Sequence, residues 1–458
     1  MATHHHHHDH APRRPVDVLL RPIHRILGIQ SVAGGLLLAC AVVALVVANS
    51  PWAASYAAFW HTPLSIGVGT VAISMSLGHV VNDGLMAIFF FVIGLEIKRE
   101  VMVGELASVS RAMGPAIAAV GGMVVPALLY LSIAGSMGGA AVTRGWAIPT
   151  ATDIAFAVGI MAMLGHRVPR RLRIFVTALA IVDDLLAVIV IGVFYTSDIS
   201  LVALGGAAAA LAVSFGANRL GVRSPLVYLL IGIALWAMLL RSGVHATIGG
   251  VLLALTIPAS IRLDPPRFIA TARSAIDRYA SHASGPNVMV QQDAQAAIRS
   301  LEQSCEQAQA PLVRLEHALH PWVAYAIMPI FALANAGVTL TREFTETMGS
   351  GVGYGVAAGL ALGKPIGILG AVALGITLGI CRLPDGVSRT QLAGGACLAG
   401  VGFTMSLFIA TLSFDTPAML QLAKIGVLTG SLVSGIAGIC ILVWAARGRV
   451  AARDGVME

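Results

Sequence analysis

Long apolar stretches separated by short polar connections recur along the whole chain. Each stretch is close to the length of about 20 residues that a helix needs to cross the hydrocarbon core of a bilayer. The pattern therefore predicts twelve membrane-spanning helices. They lie at 32–49, 81–97, 113–136, 148–164, 174–196, 200–218, 225–240, 244–260, 321–340, 352–380, 391–413 and 419–446.

A small β-hairpin is predicted between the first and second spans. At 64–75, apolar residues alternate with small or polar ones around Gly67 and Gly69. This period-two alternation, interrupted by glycine, is typical of two short strands joined by a turn. We expect the hairpin to lie on the external side of the membrane.

A long segment, 262–316, separates the eighth and ninth spans. Asp264 before two prolines predicts a helix start, and Gly285-Pro286 predicts a break. Apolar residues then recur at spacings of four and three from Ala294 to Ala308. The pattern predicts a helical hairpin whose apolar stripe packs on itself, on the membrane domain or on a partner, and self-packing is favoured.

The basic residues predict the orientation of the spans, because cytoplasmic loops carry more Lys and Arg. Of the 29 lysines and arginines, only Arg144, Arg241 and Arg342 fall on the side opposite the N-terminus. Two more, Lys364 and Lys424, fall inside predicted spans. We therefore predict that both termini are cytoplasmic. The expected divisions are an N-terminal tail at 1–31, spans 1–8 at 32–260, a cytoplasmic loop at 261–318, spans 9–12 at 319–446 and a C-terminal tail at 447–458.

The composition is that of an all-α polytopic membrane protein. Apolar residues make up 57% of the 458 positions and charged residues 11%, whereas a soluble domain is about a quarter charged. Basic loops held against anionic lipid explain the net charge of +7, so no nucleic-acid partner is implied.

The five cysteines show neither a disulfide framework nor metal-ligand spacing. The His-rich start, MATHHHHHDH, resembles a purification tag and indicates no function.

Ionisable residues lie in or near the predicted spans, where a charge costs at least about 2.5–3.5 kcal/mol. They include Asp83, Glu96, Asp153, Asp183, Asp184 and Lys364. For Asp83 and Glu96, near the ends of one span, a structural role in locking helices together is an equal alternative to a functional one. The other three acids face a single lysine, so the leftover carboxylates need a proton or a metal cation.

Buried carboxylates can exchange protons for a small cation. Na⁺ and Li⁺ prefer hard oxygen ligands, and burial favours the neutral form of a carboxyl group. Cation and protons therefore compete for the same oxygens. Asp183 and Asp184 are neighbours in one predicted helix and point about 100° apart. They need not share one role, since one can ligate the ion while the other faces Lys364.

Two segments carry the pattern of interrupted helices. The stretch GWAIPTATDIAFAVG, around Asp153, places a proline and two threonines where a plain apolar span is expected. The stretch ACLAGVGFTMSLFIA repeats the theme with Thr404 and Ser406. Irregular backbone at membrane depth is tolerated where it lines a cavity. The pair predicts two discontinuous helices, spans 4 and 11, which cross at mid-membrane. Interrupted helices of this kind are typical of transporters built from inverted repeats.

Several motifs, in order, resemble those of the NhaA-type bacterial sodium/proton antiporters. They are NDGLMAIFFFVIGLEIKRE (82–100), TDIAFAVG (152–159), ALAIVDDLLAVIVI (178–191), SGVHATIGG (242–250), LEHALHPWVAY (315–325), FALANAGV (331–338), GKPIGI (363–368) and GFTMSLFIA (402–410). The resemblance implies a secondary active antiporter of the bacterial inner membrane, and transport is electrogenic if two acids release protons for each monovalent ion bound. It would export Na⁺ or Li⁺ in exchange for H⁺, for sodium and pH homeostasis, with no enzymatic activity and no resident cofactor.

The resemblance also implies roles for residues of the expected ion site. Asp183 and Asp184 match the family's paired ion- and proton-binding aspartates, where Na⁺ is expected. Asp153 and Thr152 match the acid and hydroxyl at the helix crossing. Lys364 matches a lysine that faces the aspartates, as a counter-charge or as a proton carrier.

Five further positions match residues of the family's cytoplasmic funnel and pH response. Asp83 and Glu96 match acids near the funnel, and Glu316 and His317 match the cytoplasmic face to which the pH response is attributed. His245 matches a histidine linked to the same response, although packing or hydrogen bonding is an equal alternative for it. The long 262–316 segment departs from the family, whose connection is short there.

The hairpin at 64–75 resembles the family's dimerisation element and implies a homodimer.

Two other classes of protein also use buried acids. An intramembrane aspartyl protease needs two carboxylates from facing segments, usually in a GxGD setting, but this sequence has no GxGD and its closest acids are neighbours. A passive cation channel, or a degenerate antiporter acting as a sensor, is poorly distinguished by sequence, although all the expected ionisable residues are present.

Overall fold

The computed structural model describes residues 30–68, 71–137, 140–196, 199–261, 263–282, 292–339 and 351–454, most of which are helical. The α-helices are α1 (Gln30–Ala48), α2 (Ala53–His61), α3 (Leu77–Val103), α4 (Val109–Met137), α5 (Ala140–Thr143), α6 (Ile154–Met163), α7 (Arg170–Phe194), α8 (Leu201–Arg219), α9 (Pro225–Leu240), α10 (Ile248–Thr256), α11 (Pro265–His282), α12 (Gln292–Ala308), α13 (Pro311–Asn335), α14 (Gly351–Thr377), α15 (Arg389–Ala399), α16 (Phe403–Ser413) and α17 (Pro417–Asp454). Short 3₁₀ segments lie at Glu105–Ala107, Arg144–Thr150 and Gly165–Arg167.

The length and apolar character of the helices fit a protein that crosses a membrane many times. Eight helical segments of the described residues are long and apolar enough to span, and two bent helix pairs raise the number to ten. The bent pairs are α1 with α2, at 114°, and α15 with α16, at 43°. Two predicted spans fall short of this test, because α9 has 16 residues and α10 has 9.

The predicted hairpin is confirmed as a two-stranded antiparallel sheet. Strand β1 (Pro63–Val68) pairs with β2 (Val71–Ser76), with Leu64 opposite Met75. Gly69, in the predicted turn, lies outside the described residues. The end of the molecule that carries this sheet is called the hairpin end below.

Helices α11 and α12 form a pair that packs on itself at the opposite end of the molecule. Ala275 of α11 and Ala294 and Ala297 of α12 are buried. The Leu263 amide donates a hydrogen bond to the Gln307 carbonyl (3.2 Å), which closes the base of the pair. The predicted break at Gly285-Pro286 lies outside the described residues.

Glycine allows the closest helix contact near the centre of the protein, between α4 and α14. A Cβ added at Gly367 would lie 2.1 Å from the carbonyl oxygen of Gly121, and one added at Gly121 would lie 2.3 Å from the Gly367 oxygen. Small residues let the backbones of membrane helices approach in this way. The contact fixes α14, which carries Lys364, against α4.

Candidate ion-exchange site

Two chain segments leave helical geometry deep inside the protein and meet there. Residues 151–153 are extended between the 3₁₀ segment and α6, and residues 400–402 separate α15 from α16. The Asp153 amide donates to the Val401 carbonyl (2.8 Å), and the Thr152 hydroxyl donates to the Ala399 carbonyl (2.9 Å). The segments therefore satisfy each other's backbone groups, which is necessary where no water is available.

Asp153 is held by both of its carboxylate oxygens. Oδ1 accepts a hydrogen bond from the Phe156 amide (3.1 Å), which makes Asp153 the N-cap of α6. Oδ2 accepts from the Thr404 amide (3.1 Å) and from the Thr404 hydroxyl, in the first turn of α16. A carboxylate at two helix N-termini complements the partial positive charge of both.

The meeting of the two segments requires glycine at one position. A Cβ added at Gly402 would lie 2.1 Å from the Ser406 hydroxyl oxygen and 3.0 Å from the Ala151 carbonyl oxygen. The Ser406 side chain is held in place, because its hydroxyl donates a hydrogen bond to the Ile148 carbonyl (2.7 Å). A side chain at Gly402 would therefore force the two segments apart.

Lys364 and Asp183 form an ion pair in the protein interior. Their Nζ and Oδ2 atoms lie 2.6 Å apart, and the side chains are 0% and 2% exposed. The Lys364 ammonium also donates to the Thr150 carbonyl, at the end of the 3₁₀ segment. The lysine thus links α14 to α7 and to the crossing.

Asp184 is oriented differently from its neighbour. Both of its carboxylate oxygens are buried, and neither has a hydrogen-bond partner within the described ranges. The side chain lines a cavity of about 840 Å³, together with Asp153 and Glu96. The structure therefore separates the adjacent aspartates: Asp183 pairs with Lys364, and Asp184 faces open space.

The cavity opens towards a group of charged residues at the end opposite the hairpin, called the mouth end below. Glu100, Glu105, Arg170, Arg173 and His320 line it there. Arg99 forms ion pairs with Glu316 (Nε to Oε2, 3.3 Å) and with Glu100 (Nη2 to Oε1, 3.3 Å). Glu316 is buried beside this group, whereas His317 is exposed and its Nδ1 lies 3.0 Å from the Val313 carbonyl oxygen.

The prediction that Asp83 lies with Glu96 near one funnel needs correction. The two residues are 13 positions apart on α3, which corresponds to about 20 Å along a helix. Asp83 lies near the hairpin end, where its carbonyl accepts a hydrogen bond from Trp236 Nε1 (3.0 Å) and its charge interacts with that of His245. Asp83 and His245 thus lie in the same region, remote from the cavity mouth.

The sequence marked Thr404 as part of an interrupted helix, but it did not predict the contact of Thr404 with Asp153 or any role for Ser431. Thr404 binds Asp153, and the Ser431 hydroxyl of α17 accepts a hydrogen bond from the Phe403 amide (3.1 Å). The available signal was weak, because threonine and serine also occur in membrane helices as packing residues. Their role depends on which carboxylate or amide lies opposite.

Comparison with known proteins shows the family to which the chain belongs. Residues 24–442 match the sequence profile of the family described as "Na+/H+ antiporter 1". The chain is 49% identical over 446 residues to "Na(+)/H(+) antiporter NhaA" of Oleidesulfovibrio alaskensis, covering 97% of this chain and 98% of that protein. It is 47% identical to the protein of the same name from Koribacter versatilis, covering 93% and 92%. It is 46% identical to "Na(+)/H(+) antiporter NhaA 2" of Sorangium cellulosum, covering 94% and 91%. This chain belongs to the Na⁺/H⁺ antiporter 1 family.

Proposed function

We propose that this protein exports Na⁺ in exchange for H⁺ across the bacterial inner membrane, for sodium and pH homeostasis. Family membership supports exchange of these ions. One structural observation carries the proposal: the Asp184 carboxylate has no partner among the described residues and lies at a cavity. A buried carboxylate of this kind is stable with a bound proton or with a bound cation. The protein acts as a transporter and needs no resident cofactor, because the cation is its cargo.

Asp184 is proposed as the residue at which Na⁺ and H⁺ compete. A deprotonated carboxylate offers hard oxygen ligands, which suit Na⁺ and Li⁺. Protonation removes the negative charge and releases the cation. Asp153 lines the same cavity and can add oxygen lone pairs, although both of its oxygens already hold the helix N-termini. Thr152 keeps the crossing in register through its bond to Ala399.

The Lys364–Asp183 pair has two proposed roles, and both remain open. As a counter-charge, Lys364 keeps Asp183 ionised beside Asp184 throughout the cycle. As a proton carrier, Lys364 loses its proton when a cation binds, and Asp183 then becomes a second oxygen ligand. In the second role, Asp184 and Lys364 both lose a proton when one Na⁺ or Li⁺ binds, and the exchange would be electrogenic.

Alternating access is proposed to depend on the crossing. Two discontinuous helices within a twelve-helix, inverted-repeat fold would rock about the point where Asp153 meets Thr404. The support is the set of hydrogen bonds that join residues 151–153 to residues 399–404, since these bonds pair the polar groups of both helix breaks inside the protein, away from lipid. The cavity reaches this point from the mouth end.

The mouth end is proposed to face the cytoplasm, with both termini on that side. The support is the distribution of basic residues, which favours the side holding Arg99, Arg170 and Arg173. The partly buried group of Glu96, Arg99 and Glu316 is the proposed pH-responsive element, because Glu96 lines the route to Asp184 and Arg99 pairs with Glu316 close by. His317 beside it, and Asp83 and His245 at the hairpin end, are proposed contributors.

A homodimer is proposed through the hairpin. A two-stranded sheet has unpaired strand edges, and such edges pair readily with a second copy. Both strands lie at the end of the molecule beyond α2 and α3, where a neighbouring subunit can reach them.

The proposed function is tested in inverted membrane vesicles that have been acidified by respiration. Added Na⁺ or Li⁺ is expected to release part of the proton gradient, and K⁺ is expected to do little. Asp184→Asn should abolish the response, whereas the matched substitution Asp415→Asn, in an exposed loop, should leave it unchanged. Sodium flux without proton movement would instead indicate a channel.

A further inference from the structure

A second cavity, of about 740 Å³, lies at the mouth end beside the ion route. It is formed by the N-terminal turns of α4 and α7 and by the connection between α14 and α15. Three arginines line it, from three different elements: Arg111, Arg171 and Arg382. The ion-exchange mechanism uses none of these arginines.

The guanidinium groups of this cavity are available to a ligand. Arg171 pairs with Asp385 (Nη1 to Oδ2, 2.8 Å), but the Asp385 side chain is 88% exposed. Arg111 lies 3.8 Å from Glu105, and both side chains are largely accessible. Exposed pairs such as these contribute little stability, so an anion can displace the carboxylates at small cost. Arg382 has no ion pair or hydrogen bond in the part of the chain described.

The floor of the cavity is lined by apolar side chains. Ile174, Phe175 and Ala178 lie on little more than one turn of α7 below the arginines, and Ile380 forms part of the facing wall. Ile174 and Ile380 are 39% and 48% exposed. Cationic groups above an apolar wall complement a molecule with an anionic head and hydrocarbon chains. Basic pockets between membrane helices bind anionic lipid head groups by this chemistry.

We propose that this groove is a binding site for an anionic phospholipid. The head-group phosphate would lie against Arg111, Arg171 and Arg382, and an acyl chain would lie along Ile174 and Ile380. The N-termini of α4 and α7, which begin at Val109 and Arg170, add partial positive charge at the same level. A free phosphate would use the arginines but would gain nothing from the apolar wall.

The proposed lipid lies beside the route to the ion site. Glu105, Ile174 and Ala178 line both cavities. A lipid phosphate at this position would attract cations towards the mouth and would brace the first turns of the helix that carries Asp183 and Asp184. The binding proposal stands whether or not the exchange function is correct.

The test uses native mass spectrometry of the purified full-length protein in a neutral detergent. Phosphatidylglycerol is added in competition with phosphatidylcholine of the same acyl chains. Each arginine near an anionic head group contributes about fivefold in affinity. The triple variant Arg111→Gln, Arg171→Gln and Arg382→Gln should therefore retain phosphatidylglycerol roughly a hundredfold more weakly. The control variant Arg267→Gln, Arg299→Gln and Arg447→Gln removes the same charge from exposed positions elsewhere and should bind as the unmodified protein does.

A second variant distinguishes a lipid from a free phosphate. Ile380→Gln alters the exposed apolar wall and keeps all three arginines, so it should weaken phosphatidylglycerol binding severalfold. Inorganic phosphate at millimolar concentration should not displace the lipid. Equal retention of both lipids by the unmodified protein would overturn the proposal, as would equal loss of phosphatidylglycerol in the triple and control variants. Complete displacement by inorganic phosphate, with Ile380→Gln unaffected, would assign the groove to a soluble anion instead.

Discussion

At the scale of single residues, the structure divides the two adjacent aspartates between two tasks. Asp183 is neutralised by Lys364 at 2.6 Å, and Asp184 has no partner in the described chain. A buried carboxylate without a partner lowers the stability of the protein. Removing one partner of a buried ion pair leaves the other charge uncompensated, which also lowers stability. Loss of the Asp184 carboxylate should therefore abolish exchange without lowering stability, whereas breaking the ion pair of Asp183 should lower stability.

Asp184→Asn is expected to abolish Na⁺/H⁺ exchange and to leave thermal stability unchanged or higher. The asparagine is neutral and nearly isosteric, and the carboxylate that it replaces makes no hydrogen bond with the described residues. Thermal unfolding of the purified protein in detergent, measured together with vesicle exchange, checks both parts. A large fall in melting temperature would mean that the Asp184 carboxylate has a structural partner.

Lys364→Met is expected to destabilise the protein by about 3–5 kcal/mol, because it leaves the Asp183 carboxylate buried without its counter-charge. Proton uptake by Asp183 would lower this cost. The double variant Asp183→Leu and Lys364→Met should recover most of the loss, since no charge is then buried. Unfolding measurements on the single and double variants form a thermodynamic cycle, and simple additivity of the two single effects would contradict the pairing.

Asp153→Asn is expected to lower stability by about 1–3 kcal/mol, in contrast to Asp184→Asn. An amide has only one acceptor oxygen, so either the Phe156 amide or the Thr404 amide loses its partner inside the protein. Both variants replace a buried aspartate with asparagine. They differ because the Asp153 carboxylate accepts hydrogen bonds from the described residues and the Asp184 carboxylate accepts none. Equal melting temperatures for them would contradict the assignment of Asp153 to the crossing.

At the scale of the elements, close helix contacts hold the ion site in place. Gly367→Val on α14 should destabilise the protein by at least about 1–3 kcal/mol, because the added side chain meets the backbone of Gly121. Gly370→Val, three residues further along the same helix, is the control, since a Cβ there has no neighbouring atom within 4 Å. Similar unfolding behaviour of the two variants would contradict the packing described for α4 and α14.

Much of the element pattern was accessible from the sequence, and the exceptions have physical causes. Apolar periodicity predicted the β-hairpin correctly, because alternation of side chains fixes the faces of short strands. The sequence could not assign Lys364 to one of the two aspartates, since that depends on the rotation of α7 about its axis. The family resemblance grouped Asp83 with Glu96 at one funnel, although 13 residues of one helix separate them by about 20 Å.

At the scale of the whole molecule, the α11–α12 pair forms a compact addition with a narrow base. Leu263 and Gln307 are joined by a hydrogen bond of 3.2 Å, so a short Gly-Ser linker can replace residues 264–306 without moving α10 or α13. We expect this deletion to leave the fold and the rate of exchange intact. Circular dichroism and vesicle exchange check this expectation, and loss of exchange in a folded protein would show that the pair contributes to transport.

The central claim is that Na⁺ and H⁺ compete for the Asp184 carboxylate. The most direct test measures the Kd for Na⁺ of the purified protein by calorimetry across a range of pH. Below the pH at which the site loses its protons, the Kd should rise about tenfold for each unit of acidification per proton exchanged, and Asp184→Asn should show no binding. A Na⁺ affinity that stays constant over the pH range in which the protein works would contradict the account.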